Sequence, residues 1–372
     1  MKSSLEDRLW GVVLAGGIGS RFWPASTPRR PKQLLRLASD KPLIRDTIDR
    51  IEPLIPTERL RILTGDALAG PIDTTLDDFT PENFFIEPRA AGTGPVLAWA
   101  ATQISRIDPD AVMVSLPADH VIGPPTVFRE QILETARLAD RHERLFTLGA
   151  VPTRPETGYG YIRPGSPLQD DTGVIGATEV DRFVEKPDAE TATEYVDRGY
   201  LWNTGIFVWR VHDLLAEVMR HTPEIAALIP LLEAGRTTEF FVRVPTISVD
   251  EGVFERSDRV AVAPARFQWD DVGAWDAIFR THELDGVGNA RVGDAHAVET
   301  RNSVLYADDG PVVAFGVDGL VIVRTADITF VMDRSRSSDL KTLLQALPER
   351  LRSLGQELEP PSSLGPDPDP VR

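Results

Sequence analysis

The sequence predicts an α/β fold, a mainly parallel sheet covered by helices on both faces, followed by a small β-rich domain. Three observations carry this. Strand-like and helix-like segments alternate over residues 8–285, the pattern of crossover-connected parallel strands. The first strand-like run, "VVLA", ends in the glycines of "GGIG", as happens at the ligand-binding edge of an open α/β sheet. Beyond about residue 285 the helical spacing stops and short β-like runs recur between Asp and Gly turns.

In chain order, apolar runs predict strands over 10–15, 60–64, 83–86, 111–116, 145–150, 205–210 and 260–264. Amphipathic spacing predicts helices over 42–52, 95–106, 127–140, 189–198, 211–219 and 223–233. The runs "SVLYADD", "PVVAFGV", "LVIVRT" and "ITFVMD" supply the second domain, and a short helix over about 337–352 follows. The polar, Pro-rich "PPSSLGPDPDP" predicts a disordered tail. The expected division is therefore 1–285, 286–355 and 356–372. The motif residues named below all precede 285. A chain cut there is expected to keep them and to lose an assembly surface.

Composition narrows the function classes. With 372 residues, 42% hydrophobic and 26% charged, the chain can bury one large core and a smaller one. A net charge of -17 argues against nucleic acid, whose phosphates need a basic face. No apolar run has the length of a membrane span, and "MKSSLEDRLW" has no signal-peptide character. Zero cysteines exclude disulfides, thiolate metal sites and thiol nucleophiles. A cytoplasmic protein is expected. The chain has only five lysines (Lys2, Lys32, Lys41, Lys186 and Lys341), so a lysine inside a motif carries weight.

The first motif is "VVLAGGIGSRFWPASTPRRPKQLL", residues 12–35. Glycines after a strand let the backbone turn sharply and present N–H groups to an anion. Gly16, Gly17 and Gly19 lack the third glycine of a dinucleotide fingerprint, and no Gly-Lys-Ser/Thr of a P-loop follows. Alone they are as consistent with a tight turn as with a phosphate loop. Arg21 and Lys32 add a guanidinium fork and a point charge, which together suit a triphosphate. In "VMVSLPADHVI", Asp119 falls just past a central strand, at the same sheet edge. A turn or N-cap role is the commoner use of Asp after a strand, but its place at the edge of the glycine loop suits a Mg²⁺ ligand, since Mg²⁺ takes one or two carboxylates plus phosphate oxygens. His120 reads as structural. A second carboxylate is available from Asp270 or Asp271 in "FQWDDVGAWDAI", where helix capping is the alternative use.

A second half-site gathers from weaker signals. Gly158 and Gly160 of "TGYGYI" permit close backbone approach. In "VDRFVEKPD", Glu185 can accept from sugar hydroxyls while Lys186 pairs with a phosphate; a solvated ion pair is the plain alternative. Asn203 in "YLWNTGIFVWR" lies beside an apolar strand, where an amide must be hydrogen-bonded.

Taken together, "AGGIGSRFWPASTPRRPKQ", "LPADHVI", "TGYGYI", "FVEKP", "WNTGIF" and "WDDVGAWDA" closely resemble the mannose-1-phosphate guanylyltransferases over about residues 9–352. The resemblance implies a Rossmann-like nucleotidyltransferase domain, a small C-terminal β-helix-like domain often used for dimerisation, and GTP and mannose 1-phosphate as substrates. It also implies that Arg21 and Lys32 contact the triphosphate, that Leu14, Ala15, Gly16, Gly17, Gly19, Thr93 and Asp119 line the nucleotide, and that Asp119 and Asp271 hold Mg²⁺. Gly158, Gly160, Glu185, Lys186 and Asn203 would face the sugar phosphate. A homodimer is expected, and, since no cupin-like extension follows, the chain is expected to resemble the single-activity form.

The chain departs from that family where an Arg-Asn-Thr-Ala-Pro run usually follows Glu-Pro. Here "EPRAAGTGP" carries Ala91 and Gly92. Base selectivity is then expected to rest on backbone groups of 14–17 and 91–94 or on side chains elsewhere, with some ATP or dTTP turnover. Ala91→Arg with Gly92→Asn is expected to widen the GTP preference. Glu251 in "ISVDEGVFE" is a second departure. Two further readings stay open: the same chemistry with another base or hexose, and a non-catalytic homologue that binds a nucleotide sugar.

Overall fold

The computed structural model describes residues 4–17, 20–168 and 176–352. Among the described residues, eleven strands precede residue 285: β1 (Leu9–Leu14), β2 (Leu60–Gly65), β3 (Phe84–Glu87), β4 (Val112–Pro117), β5 (Val121–Gly123), β6 (Leu145–Ala150), β7 (Tyr161–Pro167), β8 (Thr178–Val184), β9 (Leu201–Arg210), β10 (Val260–Pro264) and β11 (Gln268–Asp270). Nine of them form one sheet in the order β3-β2-β1-β4-β9-β6-β10-β8-β7. The β3, β2, β1 and β4 neighbours run parallel, as do β6 and β10. β9 is inserted antiparallel between β4 and β6, and β7 and β8 add an antiparallel edge.

Helices cover both faces: α1 (Leu43–Ile51), α2 (Asp66–Thr75), α3 (Thr93–Ile107), α4 (Pro125–His142), α5 (Ala189–Asp197) and α6 (Val211–His221). Side chains alternate across β1, so Trp10 and Val12 pack with α3 and α6 while Leu9 and Val13 pack with α1 and α4. This two-sided burial explains why β1 reads as an unbroken apolar run. The segment 223–233 forms two short helices, Pro223–Ala226 and Ile229–Glu233, rather than one. Pro230 lacks the N–H needed to continue the earlier turn. Pro348 likewise divides the expected 337–352 helix into Leu340–Ala346 and Glu349–Arg352.

The C-terminal strands are β12 (Ala290–Val292), β13 (Ala295–Val298), β14 (Val304–Ala307), β15 (Val312–Phe315), β16 (Leu320–Arg324) and β17 (Thr329–Asp333). β12, β14 and β16 are parallel neighbours, and β13 and β15 form a second parallel pair. Successive strands thus alternate between two sheets, as in a β-helix. β17 closes the larger sheet antiparallel to β16. The tail 356–372 lies outside the described residues.

The C-terminal strands share a core with the segment that follows the glycine loop. Trp275 meets Tyr306 at 5.0 Å and Phe22 at 5.1 Å between ring centroids, and Trp23 meets Phe330 at 5.4 Å. Arg30 also pairs with Asp308, with one N–O distance of 2.8 Å. A chain cut near 285 would therefore bare the buried rings that hold the glycine-loop segment and the Trp275 turn in place. Among the described residues no helix is long and apolar enough to cross a membrane.

Candidate active site

β1 and β4 are parallel, so the glycine loop and Asp119 leave the sheet at one edge. The Ala15 N–H donates to the Leu63 carbonyl (2.8 Å), and the Leu14 carbonyl accepts from the Ala118 N–H (3.1 Å). The Ala15 carbonyl accepts from the Gln33 amide (3.0 Å) and the Thr64 hydroxyl (3.2 Å). Leu14 and Ala15 therefore tie the loop to the sheet. Gly16 and Gly17 are exposed, and among the described residues their N–H groups meet no acceptor. Gly19 lies outside the described residues. Arg21, in the short helix Ser20–Phe22, is exposed and lines a cavity together with Asp271.

Asp119 and Asp271 are distant in sequence and meet through one short pairing. β5 and β11 run antiparallel with Asp270 opposite Val121, which brings the residues on either side together. Lys32, buried in the 3₁₀ turn Lys32–Leu34, spans the junction: its Nζ donates to Asp119 Oδ2 at 2.7 Å and to the Asp271 carbonyl. An ammonium has three N–H groups, so one is left for a ligand. Burial disfavours the charged form of Asp119, but Lys32 and His120 more than offset it and hold the carboxyl below its usual range. His120 Nδ1 accepts from Trp269 Nε1 at 3.1 Å, and its Nε2 stands 3.8 Å from Asp119 Oδ1. It braces Asp119.

Asp271 Oδ1 accepts from the Tyr159 hydroxyl. Burial, and then the Asp271 charge, push Tyr159 well above the usual phenol range, so it stays protonated and keeps donating. The neighbouring Val272 has φ +48°, a left-handed conformation that a β-branched residue adopts only under constraint. Asp270 supplies that constraint: its Oδ1 accepts from the Val272 N–H (2.8 Å), and Arg280 pairs with both its oxygens at 2.8 and 3.2 Å. Asp270 shapes the turn and Asp271 faces the cavity.

Four of the five residues of the second half-site, Gly160, Glu185, Lys186 and Asn203, also come together, and Gly158 lines the Asp271 cavity instead. A Cβ on Gly160 would stand 2.5 Å from Glu185 Oε2 and 3.4 Å from the Asn203 Cβ, so only glycine lets the three approach. The Asn203 N–H donates to the Gly160 carbonyl (2.8 Å), and the Lys186 N–H to the Tyr159 carbonyl (3.2 Å). Lys186 has φ +46°, and its Nζ pairs with Glu185. Gly158 donates its N–H to Glu156 at 3.2 Å and lines the cavity with Asp271. The Asn203 oxygen accepts from the Thr147 hydroxyl (2.9 Å) and the Gly205 N–H (3.2 Å), and its amide donates to Asp250 (2.8 Å). One amide hydrogen is left over. Asn203 is thus first a brace.

Asp250 was not legible as a site residue. Burial, then the nearby Glu185 charge, raise its carboxyl to about 7. A folded pKa above the unfolded value, about 3.9, means stability falls as pH rises between those values. Asp250→Asn removes this term, so the melting temperature of the variant relative to wild type should climb from pH 4 to pH 7 and then level off. A gap that stays constant across pH 4–8 would contradict it.

The nucleotide end differs from expectation. Ala91 is fully buried in the core, and Gly92 has φ +82° with the Ile247 carbonyl oxygen 2.6 Å from any added Cβ. Arg at 91 and Asn at 92 do not fit this backbone, so the pair expected to widen the GTP preference would disrupt the loop instead. The Gly94 N–H donates to Ile247, and the Thr93 hydroxyl accepts from the Val249 N–H at 2.9 Å. Thr93 pins the start of α3 to that segment. The polar group here is Glu87, at the end of β3: its Oε2 is buried without a partner, and an added Cβ on Gly16 would lie 3.5 Å from its Oε1. Burial raises its carboxyl, with the Ala91 amide pulling the other way. Its position beside a proline hid it in the sequence.

Among the described residues, Asp271 Oδ2 meets no hydrogen-bond donor and Asp119 Oδ1 meets no side-chain donor within hydrogen-bond distance. Two open carboxylate oxygens at a phosphate-accepting edge fit a hard divalent cation. The cluster of Glu217, His221 and Asp258 lies instead near the start of β10, at the opposite sheet edge, and Arg220 and Arg259 stand 3.8 Å from its carboxylates.

The Nucleotidyl transferase family profile matches residues 10–286, and that of the MannoseP isomerase/GMP-like beta-helix domain matches 293–347. The mannose-1-phosphate guanylyltransferase of Escherichia coli is 36% identical over 359 residues, 92% of this chain and 74% of that protein. That of Klebsiella pneumoniae is 37% identical over the same shares. A Thermus thermophilus crystal structure, described as a "mannose-1-phosphate geranyltransferase", superposes with a TM-score of 0.82 at 32% identity, covering 91% of this chain and 99% of that one. Motifs, sheet topology and these relatives agree, and the chain belongs to the mannose-1-phosphate guanylyltransferase family of nucleotidyl transferases.

Proposed function

We propose that the chain transfers GMP from GTP to α-D-mannose 1-phosphate, forming GDP-mannose and pyrophosphate. The observation that carries this is the Lys32 ammonium joined to Asp119 and Asp271 beside the open Gly16 and Gly17 amides. The sugar phosphate is already anionic near neutral pH, so it needs no general base. Its oxygen forms a bond to the α-phosphorus as the bond from that phosphorus to the bridging oxygen breaks and pyrophosphate leaves. The barrier is the approach of two anions and their alignment. Arg21, the third Lys32 proton and the loop amides would offset charge on the triphosphate, and Lys186 would do so on the sugar phosphate. Asp119 and Asp271 would hold the divalent ion, taken as Mg²⁺, which supplies further neutralisation of phosphate charge. Pyrophosphate release measured across GTP, ATP, UTP and dTTP, each with mannose 1-phosphate and other hexose 1-phosphates, tests the reading. GTP with mannose 1-phosphate should be fastest; a faster alternative pair would overturn it.

Base choice falls to Glu87 in this reading. Guanine presents N1–H and an amine side by side, donors that a carboxylate can accept from. Adenine turns an unprotonated N1 toward the same oxygens. Each buried group left unpaired costs about 1–3 kcal/mol. Glu87→Gln should therefore cut the GTP-over-ATP ratio of kcat/KM by roughly ten- to a hundred-fold. An unchanged ratio would remove Glu87 from base reading.

The chain is also proposed to be a homodimer. Val298 and Phe315 are exposed neighbours across β13 and β15, with Val313 exposed on the same strand as Phe315. Such an apolar strip suits a second copy, and light scattering on the full chain would show a monomer mass if this is wrong.

A further inference from the structure

Arg334 lies outside every motif that the sequence singled out. It begins the turn Arg334–Asp339 after β17, and its N–H donates to the Gly319 carbonyl at 2.8 Å. Its guanidinium stands 3.9 Å from the Phe279 ring centroid. Phe279 sits in the helix Ala277–Thr281, just beyond the Asp270–Asp271 turn. Through that ring the C-terminal domain reaches the same cavity, of about 410 Å³, that Arg21 and Asp271 line.

The arginines of this cavity differ in one respect. Arg154 pairs with Glu156 at 3.2 Å, and Arg280 pairs with Asp270 at 2.8 Å and Asp276 at 2.6 Å. Arg21 and Arg334 have no carboxylate within ion-pair distance among the described residues. Gly273 keeps the space between Arg21 and Asp271 clear: an added Cβ would lie 3.5 Å from the Arg21 guanidinium and 3.1 Å from Asp271 Oδ2. Two guanidinium groups that face one cavity without a direct carboxylate partner suit an anion bearing several charges.

We propose that Arg334, together with Arg21, binds the pyrophosphoryl end of the nucleoside triphosphate and holds pyrophosphate as it leaves, so that the C-terminal domain completes the phosphate site. This rests on the transferase reading given above. The sugar phosphate is the other source of phosphate charge, but of the residues expected to face it only Gly158 lines this cavity, and the charged Lys186 and the amide of Asn203 do not, whereas Arg21 does. A diphosphate also matches two guanidinium forks better than a single phosphate does.

The test is calorimetric binding of sodium pyrophosphate, with magnesium ion present, to the full chain and to Arg334→Met. Methionine keeps an apolar chain over Phe279 and removes the charge. The expected result is a pyrophosphate Kd raised about ten- to a hundred-fold, a KM for GTP that rises with it, and an unchanged KM for mannose 1-phosphate. Should Arg334→Met melt early, Arg334→Gln is read by the same criteria. Wild-type pyrophosphate affinity in the folded variant would overturn the proposal, as would a defect confined to the mannose 1-phosphate KM. Pyrophosphate binding needs neither base nor sugar. A wild-type chain that binds it through Arg334 but forms no GDP-mannose would sink the transferase reading and leave this one standing.

Discussion

Asp271→Asn should lower GDP-mannose formation by about a hundred- to a thousand-fold, the range seen when one preorganised electrostatic group is removed, with little change in melting temperature. The asparagine oxygen can still accept from Tyr159, and the Val272 turn is held by Asp270 and Arg280, so the fold keeps its contacts. What disappears is the charge facing the cavity. Asp119→Asn should fall as far for a related reason, and it also strips the buried Lys32 of its counter-charge. Asp270→Asn should behave differently, lowering the melting temperature more than the rate, because Asp270 braces the turn through Arg280 and the Val272 N–H. Steady-state kcat/KM with thermal melts on the three proteins checks this. Activity within tenfold of wild type for either Asp119→Asn or Asp271→Asn would remove that carboxylate from the reaction.

Lys32→Met should be nearly as damaging, and in stability as well as rate. Lys32 is 6% exposed, and among the described residues no other cation lies within ion-pair distance of Asp119; His120, 3.8 Å away, accepts from Trp269 and is held towards its neutral form by burial. Removing one member of a hydrogen-bonded charge pair costs about 2–5 kcal/mol. The lower end applies here because the Asp119 side chain keeps 33% of its surface exposed. The sign with pH follows from Asp119. Its folded carboxyl lies below the unfolded value, so the pair's stabilisation is present above about pH 4 and is lost as pH falls through the folded pKa. The melting-temperature gap between wild type and Lys32→Met should be full at pH 7 and close under acid. A gap that persists unchanged at pH 3 would mean that Lys32 stabilises by packing rather than by charge.

The parts of the site that could be read from sequence are those where residue type and local position carry the chemistry. Glycines after an apolar strand, a rare lysine among many arginines, and an aspartate past a central strand are all local signals. The pairing that joins them is not. β5 and β11 are three residues each, too short to show a period, yet their register brings Asp119 to Asp271. β7 and β8 were missed for another reason: they form a polar, exposed edge carrying Gly165 and two prolines, with breaks in register. Glu87 and Asp250 matter because burial changes what a carboxylate does, and burial is a property of the folded chain. Gly92 and Ala91 show the converse. They read as lost side chains in a binding loop, whereas the backbone conformation at 92 and the packing at 91 leave no room for larger ones. Arg334 reaches the cavity only through the packing of the second domain on Phe279.

The most direct measurement is ³¹P NMR of the full chain with GTP, mannose 1-phosphate and magnesium ion. The account predicts that the GTP and mannose 1-phosphate signals decline together while GDP-mannose and pyrophosphate signals grow in equal amounts. GTP hydrolysis to GDP and phosphate, or pyrophosphate appearing without GDP-mannose, would contradict it.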